Sequence, residues 1–295
     1  MKEYEEAYRQ AGLRLEEGVV YHEVDGCQLC LDLLYCPGPL SCQNGAAQAP
    51  LKPILLWIHG GAWSGLDRNC RPEESLITLA KAGFLVASAD YRLMQQSPFP
   101  AQIQDCQAAV DWLRANALRY HADAARVGVW GESAGGHLCA LLGLSGGSDI
   151  FSPGKVFSPV AAVCDWYGPS DFLHDYDYEA QPDLLTLIKN LLTTKPLPLQ
   201  ELASLAAWAS PVTHVKEGAP PFLIMHGTTD DLVPIAQSQR LYQALKEKGV
   251  AVQYQAIQGQ GHGFFKTQEP FDTVIRFFIS TLLSDKAVHS AEREA

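Results

Sequence analysis

Short apolar runs alternate with helical segments along most of this chain, and this alternation limits the folds open to it. The runs are continuously aliphatic or aromatic, which is typical of strands that are covered on both faces. The segments between them carry apolar residues at helical spacing. The predicted strands are residues 54–58, 84–89, 127–130, 160–168, 221–225 and 252–257. The pattern predicts an α/β fold with a doubly wound, mostly parallel sheet.

Two segments depart from the alternation. Residues 1–18 predict a short polar helix that stops near Gly18, and two strands around an Asp25-Gly26 turn follow it. Residues 169–210 mix aromatic, acidic and proline residues around a short helix near 184–192. We interpret 169–210 as a small cap, inserted into a single domain of residues 1–295 over the carboxyl edge of the sheet.

Composition argues against several classes of partner. The 295 residues carry a formal net charge of −11, which disfavours binding to nucleic acid or to an anionic membrane surface. No apolar run approaches the length of a membrane span. The first residues, MKEYEEAYRQAG, lack the apolar region of a signal peptide. We expect a cytoplasmic protein, although a longer secreted precursor stays open, and the sequence does not indicate an oligomeric state.

The eight cysteines do not have the spacing of a zinc site. Cys27 and Cys30 form a C-x-x-C motif, but they lie in a strand-like stretch in which residues three apart point to opposite faces. No second C-x-x-C and no H-x₃₋₅-H motif follows at finger spacing. We therefore expect no metal and free thiols in a reducing compartment, with a Cys36–Cys42 bridge as the alternative.

The run GESAG, residues 131–135, lies between a predicted strand and a predicted helix. The chain must turn so sharply at such a junction that side chains beside the serine would clash, which favours glycine on both sides. The turn lifts the Ser133 hydroxyl off the sheet and leaves the first N–H groups of the helix free near it. The pattern therefore predicts a nucleophile elbow at Ser133.

The run HGGAW, residues 59–63, directly follows the apolar strand 54–58. Glycines just past the end of a central strand let the backbone turn its N–H groups toward a ligand. A plain glycine turn would account for the two glycines. It would not account for their place upstream of a serine elbow, which is the order that esterases use. We interpret the run as an oxyanion-hole loop.

A serine hydroxyl is a poor nucleophile at neutral pH and needs an adjacent base, which a carboxylate orients and stabilises. The chain order serine, acid, histidine is met by Ser133, by Asp230 or Asp231, and by His262. His262 lies between glycines in the loop after the last predicted strand, so its imidazole can reach the serine. His226, before a glycine at a strand end, is expected to hydrogen-bond the backbone instead. The residues alone leave the choice of aspartate open.

The motifs HGGAW, DYRL, GESAGGHL, DWYGPSDF, HGTTDDLVP and GHGFF, taken in order, resemble the α/β-hydrolase esterases of the acetyl-esterase and bacterial feruloyl/acetylxylan-esterase type, relatives of the hormone-sensitive-lipase group. The resemblance covers roughly residues 20 to 284. It implies that Asp230 is the acid and that the backbone N–H groups of Gly61, Ala62 and Ala134 form the oxyanion hole. The chain has Ala62 where the family more often has a third glycine, which narrows the space beside the acyl carbon by one methyl group.

Together these residues predict a cofactor-free serine carboxylesterase, with a small-molecule ester of the short-chain or aromatic type as its partner. Trp63, Trp166 and Tyr167 lie next to the catalytic loops and either line the substrate site or pack in the core beneath it. Glu132 either anchors the elbow or merely fills a tolerant position. Two other functions stay open: an arylformamidase or another amidase with the same triad, and a catalytically inactive receptor for a small molecule.

Overall fold

The computed structural model describes residues 4–38, 50–263 and 267–283. The described chain contains one eight-stranded sheet in the order β1-β2-β4-β3-β5-β6-β7-β8. The strands are β1 Arg14–Val24, β2 Cys27–Tyr35, β3 Lys52–Ile58, β4 Leu85–Ala89, β5 Ala122–Glu132, β6 Ala162–Trp166, β7 Phe222–Gly227 and β8 Val252–Ile257. Strand β2 pairs antiparallel with β1 and β4, and every other pair is parallel. The predicted α/β fold with a mostly parallel sheet is confirmed.

Helices cover both faces of the sheet. They are α1 Glu5–Gln10, α2 Glu73–Lys81, α3 Ala101–Ala115, α4 Ala134–Ser145, α5 Pro182–Leu192, α6 Leu199–Ala209, α7 Ile235–Glu247 and α8 Glu269–Phe278. One apolar layer packs under α3, α4 and α7, and the other packs under α2 and α8. Strand β3 serves both layers, since Ile54 and Leu56 enter the first while Leu55 and Trp57 enter the second. This two-sided burial explains why the central strands are continuously apolar.

The amino-terminal prediction is wrong in its extent. Helix α1 ends at Gln10 and strand β1 begins at Arg14, whereas the sequence predicted a helix up to Gly18. Gly18 lies within β1 at an irregularity of the pairing with β2, and its N–H donates to Asp32 Oδ1 at 2.8 Å. Pairing with an apolar neighbour strand decides the conformation here, and the polar composition of the segment gives no indication of that non-local contact.

The cap segment 169–210 contains two helices, α5 and α6, rather than the one short helix predicted. Helix α5 lies close to the predicted position, and it buries Ile188, Leu191 and Leu192. Helix α6 follows a proline-rich link that indicated only a loop. Pro198 is the residue just before the first turn of α6, where a missing N–H costs no helical hydrogen bond.

The thiols and possible metal ligands can be described only in part. Cys27, Cys30, Cys70 and the three buried core cysteines are free thiols. The alternative Cys36–Cys42 bridge involves Cys42, which lies outside the described residues. Across residues 4–38, 50–263 and 267–283, no group of three or more histidine, cysteine or carboxylate side chains is arranged to hold a metal ion. No helix within those ranges is both long and apolar enough to span a bilayer.

The carboxyl end of β6 supports the junction between β5 and α4. The N–H of Ser133 donates to the carbonyl oxygen of Trp166 at 2.8 Å. Beside it, the buried carboxylate of Asp165 accepts the N–H of Gly168 through Oδ1 at 2.9 Å. A Cβ atom on Gly136 or on Gly168 would lie 2.3 or 2.6 Å from that oxygen, so the carboxylate occupies the space of both missing side chains.

Asp165 is therefore a buried acid with few partners. Its second oxygen, Oδ2, has no hydrogen-bond partner within the described part of the chain. Burial raises the pKa of Asp165 to about 6, against the smaller opposing effects of the Gly168 N–H and of His226. Ionisation of Asp165 beneath the elbow is therefore unfavourable for the stability of the folded state.

We predict that Asp165→Asn stabilises the protein increasingly as pH rises. The pKa of Asp165 is about 6 in the folded state and 3.8 ordinarily. The contribution of the protonated carboxyl to the free energy of unfolding is therefore complete below pH 3.8, and it is lost as pH rises through 6. A difference of about 2 between the two pKa values corresponds to about 3 kcal/mol. Asparagine keeps the acceptor for Gly168 and removes the charge.

Urea unfolding of both proteins should show this difference. The free energy of unfolding of the variant relative to the original chain should grow by about 2–3 kcal/mol between about pH 4 and pH 7.5. Asp183→Asn, which removes an exposed carboxylate, serves as the matched control and should show no comparable growth. A relative stability of Asp165→Asn that stays constant over this range would contradict the account of a buried charge.

Candidate active site

Ser133 stands at the junction of β5 and α4 in a strained backbone conformation. Its φ of 52° and ψ of −119° are rarely adopted by residues other than glycine. A Cβ atom on Gly131 would lie 2.5 Å from the carbonyl oxygen of Gly135, and one on Gly135 would lie 2.0 Å from that of Ile58. The turn therefore requires glycine on both sides of the serine, which is the steric reason for the GESAG pattern.

Ser133, His262 and Asp230 form a continuous hydrogen-bonded chain. Nε2 of His262 lies 3.0 Å from Oγ of Ser133, and Nδ1 lies 2.7 Å from Oδ2 of Asp230. An ionised carboxylate can only accept, so Nδ1 carries the proton and donates it to Asp230. Nε2 is then left to accept from the serine hydroxyl, which is the geometry of a general base beside its nucleophile. The structure brings all three predicted residues together at the carboxyl edge of the sheet.

Asp230, and not Asp231, is the carboxylate that contacts His262. Its Oδ1 accepts the N–H of Val233 at 2.9 Å. Burial opposes ionisation of Asp230, but the hydrogen bonds from His226, from His262 and from the Val233 N–H outweigh it and lower the pKa of its carboxyl. Asp230 therefore stays ionised at neutral pH, whereas Asp231 is exposed at the edge of the cleft.

His226 is a second histidine in contact with Asp230, and the sequence did not predict this contact. Its Nε2 lies 3.2 Å from Oδ2 of Asp230 and 2.8 Å from the carbonyl oxygen of Val233. Both partners are acceptors, so Nε2 carries the proton, and Nδ1 accepts from the Ser238 hydroxyl at 2.7 Å. The predicted backbone bond of His226 is present as well. His226 lies at the end of β7 and Asp230 in the loop that follows, and their four-residue spacing is the only signal in the sequence for their contact.

The backbone N–H groups of Ala62 and Ala134 are available to an oxyanion. Ala134 begins α4, where the first N–H groups have no partner within the helix. Ala62 lines the cleft beside Ser133, at a φ of 52°. Within the described ranges, neither N–H is hydrogen-bonded to another part of the protein. Gly61 forms the turn that presents Ala62, since its carbonyl oxygen accepts the N–H of Gly65 at 3.1 Å. The use of these three N–H groups as an oxyanion hole stays a prediction.

A cleft of about 480 Å³ opens above Ser133, between the catalytic loops and the cap. Most of the side chains that line it are apolar, and residues from the start of α5 and the segment before it form a large part of its wall. The lining includes Trp63, Tyr176, Leu184, Leu187, Ile188, Val233 and the catalytic His262. The cap segment therefore lies next to the candidate nucleophile and bounds the space in which a substrate would bind.

The aromatic residues predicted near the substrate lie in different places. Trp63 lines the cleft with only 2% of its surface exposed. Trp166 does not line it and takes the core position, the second of the two alternatives that the sequence left open. Trp166 is fully buried in the apolar layer under α2 and α8, with its ring centroid 5.1 Å from that of Trp130 and its indole N–H bonded to the sulfur of Met225. It lies on the opposite face of the sheet from the cap.

Tyr167 contacts a catalytic residue rather than the cleft. Its ring centroid lies 4.6 Å from that of His262, at an interplanar angle of 63°. Its hydroxyl donates to Oε2 of Glu132 at 2.7 Å. Burial raises the pKa of Glu132, while the hydrogen bond from Tyr167 and the charge of a protonated His262 oppose that rise. The contacts favour Glu132 as an anchor of the elbow, the first of the two roles that its sequence left open.

Sequence comparison relates the chain to a family of esterases. The profile of the BD-FAE family matches residues 43–245, which include Ser133 and Asp230 but end before His262. The probable carboxylic ester hydrolase LipM of Mycobacterium tuberculosis is 32% identical over 197 residues, which cover 66% of this chain and 45% of LipM. The esterase LipC of the same organism is 31% identical over 216 residues, 72% of this chain and 53% of LipC. The chain spans about half the length of these curated relatives.

Solved structures share the architecture over nearly the whole chain. A truncated carbohydrate esterase from gut microbiota superposes with a TM-score of 0.73 at 27% identity, covering 92% of this chain and 97% of that chain. The thermophilic esterase Est2 of Thermogutta terrifontis gives a TM-score of 0.70 at 22% identity, covering 91% and 92% of the two chains, and bears on the fold alone. The resemblance to α/β-hydrolase esterases is confirmed.

We predict that Ser133→Ala, His262→Ala and Asp230→Asn each lower kcat by about 10³-fold or more, because the three groups act as one unit. Double variants should lose little further activity for the same reason. The measurement is the hydrolysis of p-nitrophenyl acetate. Asp231→Asn is the matched control and should stay within a few-fold of the original rate. If Asp230→Asn leaves kcat nearly unchanged while Asp231→Asn lowers it by orders of magnitude, the assignment of Asp230 as the acid is contradicted.

We predict that Glu132→Gln moves the acid limb of the kcat/KM profile to lower pH, by up to about one unit. A carboxylate near His262 favours the protonated imidazole, and its removal lets the neutral, active form persist to lower pH. Tyr167→Phe keeps the ring contact but removes the donor that lowers the pKa of Glu132, so it should move the limb in the same direction by a smaller amount. A loss of rate in Glu132→Gln without movement of the limb would mean that Glu132 acts only through packing.

Proposed function

The chain belongs to the BD-FAE family, and we propose that it is a carboxylesterase that forms an acyl-enzyme on Ser133. The observation that carries the proposal is the hydrogen-bonded chain from Asp230 through His262 to Ser133, placed at an apolar cleft. The names of LipM and LipC as ester hydrolases support it. The geometry suits acyl transfer, in which the serine attacks the carbonyl carbon and the histidine carries the serine proton to the leaving group.

In the proposed reaction, Oγ of Ser133 attacks the ester carbonyl carbon while Nε2 of His262 takes the hydroxyl proton. The imidazolium that forms is stabilised by Asp230 through Nδ1. The carbonyl oxygen becomes an oxyanion, to which the N–H groups of Ala62 and Ala134 donate, and each such donor is worth about 3–4 kcal/mol in the transition state. His262 then protonates the leaving alcohol. In the second half, His262 takes a proton from the water that attacks the acyl carbon, and it returns this proton to Oγ of Ser133 as the bond between the acyl group and the serine breaks.

The proposed substrates are esters of short-chain or aromatic acids. The cleft carries the rings of Trp63 and Tyr176 among mainly aliphatic side chains, which suits an aromatic or small apolar group. Ala62 places a methyl group where a third glycine would leave more room. The similar gut-microbiota structure is a carbohydrate esterase, which makes an acylated sugar a candidate for the alcohol part of the substrate.

We predict that kcat/KM is highest for acetyl to butyryl p-nitrophenyl esters and falls steeply by the octanoyl ester. Each added methylene contributes about 0.8 kcal/mol only where a cavity receives it, and residues of the cap form a wall of the cleft. Activity should not rise at an oil–water interface. Equal or faster turnover of the decanoyl ester, or a jump in rate above the critical micelle concentration, would contradict this substrate class.

A second set of measurements separates the reaction types. Rates on p-nitrophenyl acetate, methyl ferulate and N-formylkynurenine compare short-chain esters, aromatic esters and a formamide. Labelling of Ser133 by a fluorophosphonate probe tests the activated nucleophile directly, with Ser133→Ala as the control. Faster turnover of the formamide than of either ester would replace the esterase proposal with an arylformamidase. Failure of the probe to label Ser133 would contradict an acyl-enzyme.

A further inference from the structure

The cap contains a second apolar cavity next to the cleft. It measures about 180 Å³ and lies between α5 and α6. We call it the cap groove, and it is lined chiefly by Phe172, Leu185, Ile188, Leu192, Leu202 and Ala206. None of these side chains takes part in the chemistry described above, and neither the fold nor the triad requires a cavity at this place.

The cleft and the cap groove share one lining residue. Ile188 lines both cavities, with 4% of its surface exposed. Next to it, Trp63 of the cleft and Phe172 of the groove are in edge-on contact, with ring centroids 5.8 Å apart. The two apolar spaces are therefore adjacent, and Ile188 lies at their boundary.

The helical geometry of α5 shows why Ile188 has this position. Residues of an α-helix follow one another at about 100° around its axis. Leu184 and Leu187 line the cleft, whereas Leu185 and Leu192 line the groove. Ile188 falls between these two rows, roughly 40° from Leu184 and roughly 40° from Leu192. Helix α5 thus presents one row to each cavity and a single residue at their boundary.

We propose that Ile188 sets the acyl-length limit of this esterase by closing the catalytic cleft against the cap groove. The inference rests on the proposed function and deepens it. Isoleucine is branched at Cβ and strongly prefers one χ1 rotamer in a helix, so it forms a more rigid partition than an unbranched side chain would. When the side chain is shortened, the groove receives the distal carbons of a longer acyl group. Those carbons then leave water for an apolar site, which increases kcat/KM by about fourfold per methylene.

The test is the acyl-length profile of Ile188→Ala on p-nitrophenyl acetate, butyrate, octanoate and decanoate. We expect the ratio of octanoate to acetate kcat/KM to rise by about tenfold or more, since two or three methylenes gain a site. Ile188→Val removes a single methylene and should shift the ratio in the same direction by a smaller factor. This milder variant keeps the test decisive if Ile188→Ala fails to fold, which thermal melting will show.

A second substitution tests whether the groove itself receives the chain. Ala203 is exposed and lines the groove but not the cleft, so Ala203→Phe fills the groove from its solvent side. In the Ile188→Ala background it should reverse most of the gain on octanoate. Leu187→Ala is the matched control, because Leu187 lines the cleft but not the groove. Any gain in octanoate kcat/KM that Leu187→Ala brings should stay the same when Ala203→Phe is added.

The outcomes separate the two proposals. Full activity on acetate with an unchanged acyl profile in Ile188→Ala would overturn the role of Ile188. A gain on octanoate that persists with Ala203→Phe would overturn the role of the groove. Absence of hydrolysis dependent on Ser133 in the unsubstituted protein, on any of the four esters, would instead overturn the proposed esterase activity on which the inference rests.

Discussion

The close approach of helix α4 to the end of strand β3 fixes the geometry on which the site depends. Gly135 lies so near the carbonyl oxygen of Ile58 that no side chain fits between them, and its neighbour Ser133 is forced into a strained conformation. The same approach brings the HGGAW loop, which continues β3, beside the serine. A hydrogen bond from the Ser133 N–H to Trp166 then ties the junction to β6. Ser133, the proposed nucleophile, is thus held by backbone contacts with two strands.

Three buried or half-buried carboxylates near this junction show how hydrogen-bond partners decide their ionisation. Asp230 accepts from two histidines and from backbone N–H groups, which lowers its pKa in spite of burial. Glu132 has the hydroxyl of Tyr167, and Asp165 has one backbone N–H, and in both cases burial prevails and raises the pKa. Of these three carboxylates, Asp230 alone has enough hydrogen-bond donors to lower its pKa and stay ionised beside a protonated imidazole. The number of hydrogen-bond donors, and not the residue type, therefore distinguishes Asp230, the proposed acid, from the other two carboxylates.

The parts of the site that the sequence predicted are those set by local sterics and by chain order. Glycines around Ser133 are required wherever such a turn occurs, and the order of Ser133, Asp230 and His262 follows from the order of the strand ends. The features that the sequence left open or did not predict depend on the orientation of aromatic and imidazole side chains in the folded structure. Trp166 ends a central strand that is apolar on both faces, so alternation along β6 gives no indication of which face its indole takes. The contacts of His226 with Asp230 and of Tyr167 with Glu132 likewise need coordinates.

The cap differs from the catalytic edge in how its residues act. The triad and its supports are held mainly by backbone geometry, which a single side-chain substitution in α5 does not touch. The walls of the cleft, in contrast, are side chains on two rows of one amphipathic helix, and Ile188 lies at the boundary of those rows. If Ile188 limits the acyl length as proposed, substrate range and catalytic geometry are carried by separate parts of the chain. A change in the size of that one cap residue would then alter which acyl groups fit while the distances between Ser133, His262 and Asp230 stay the same.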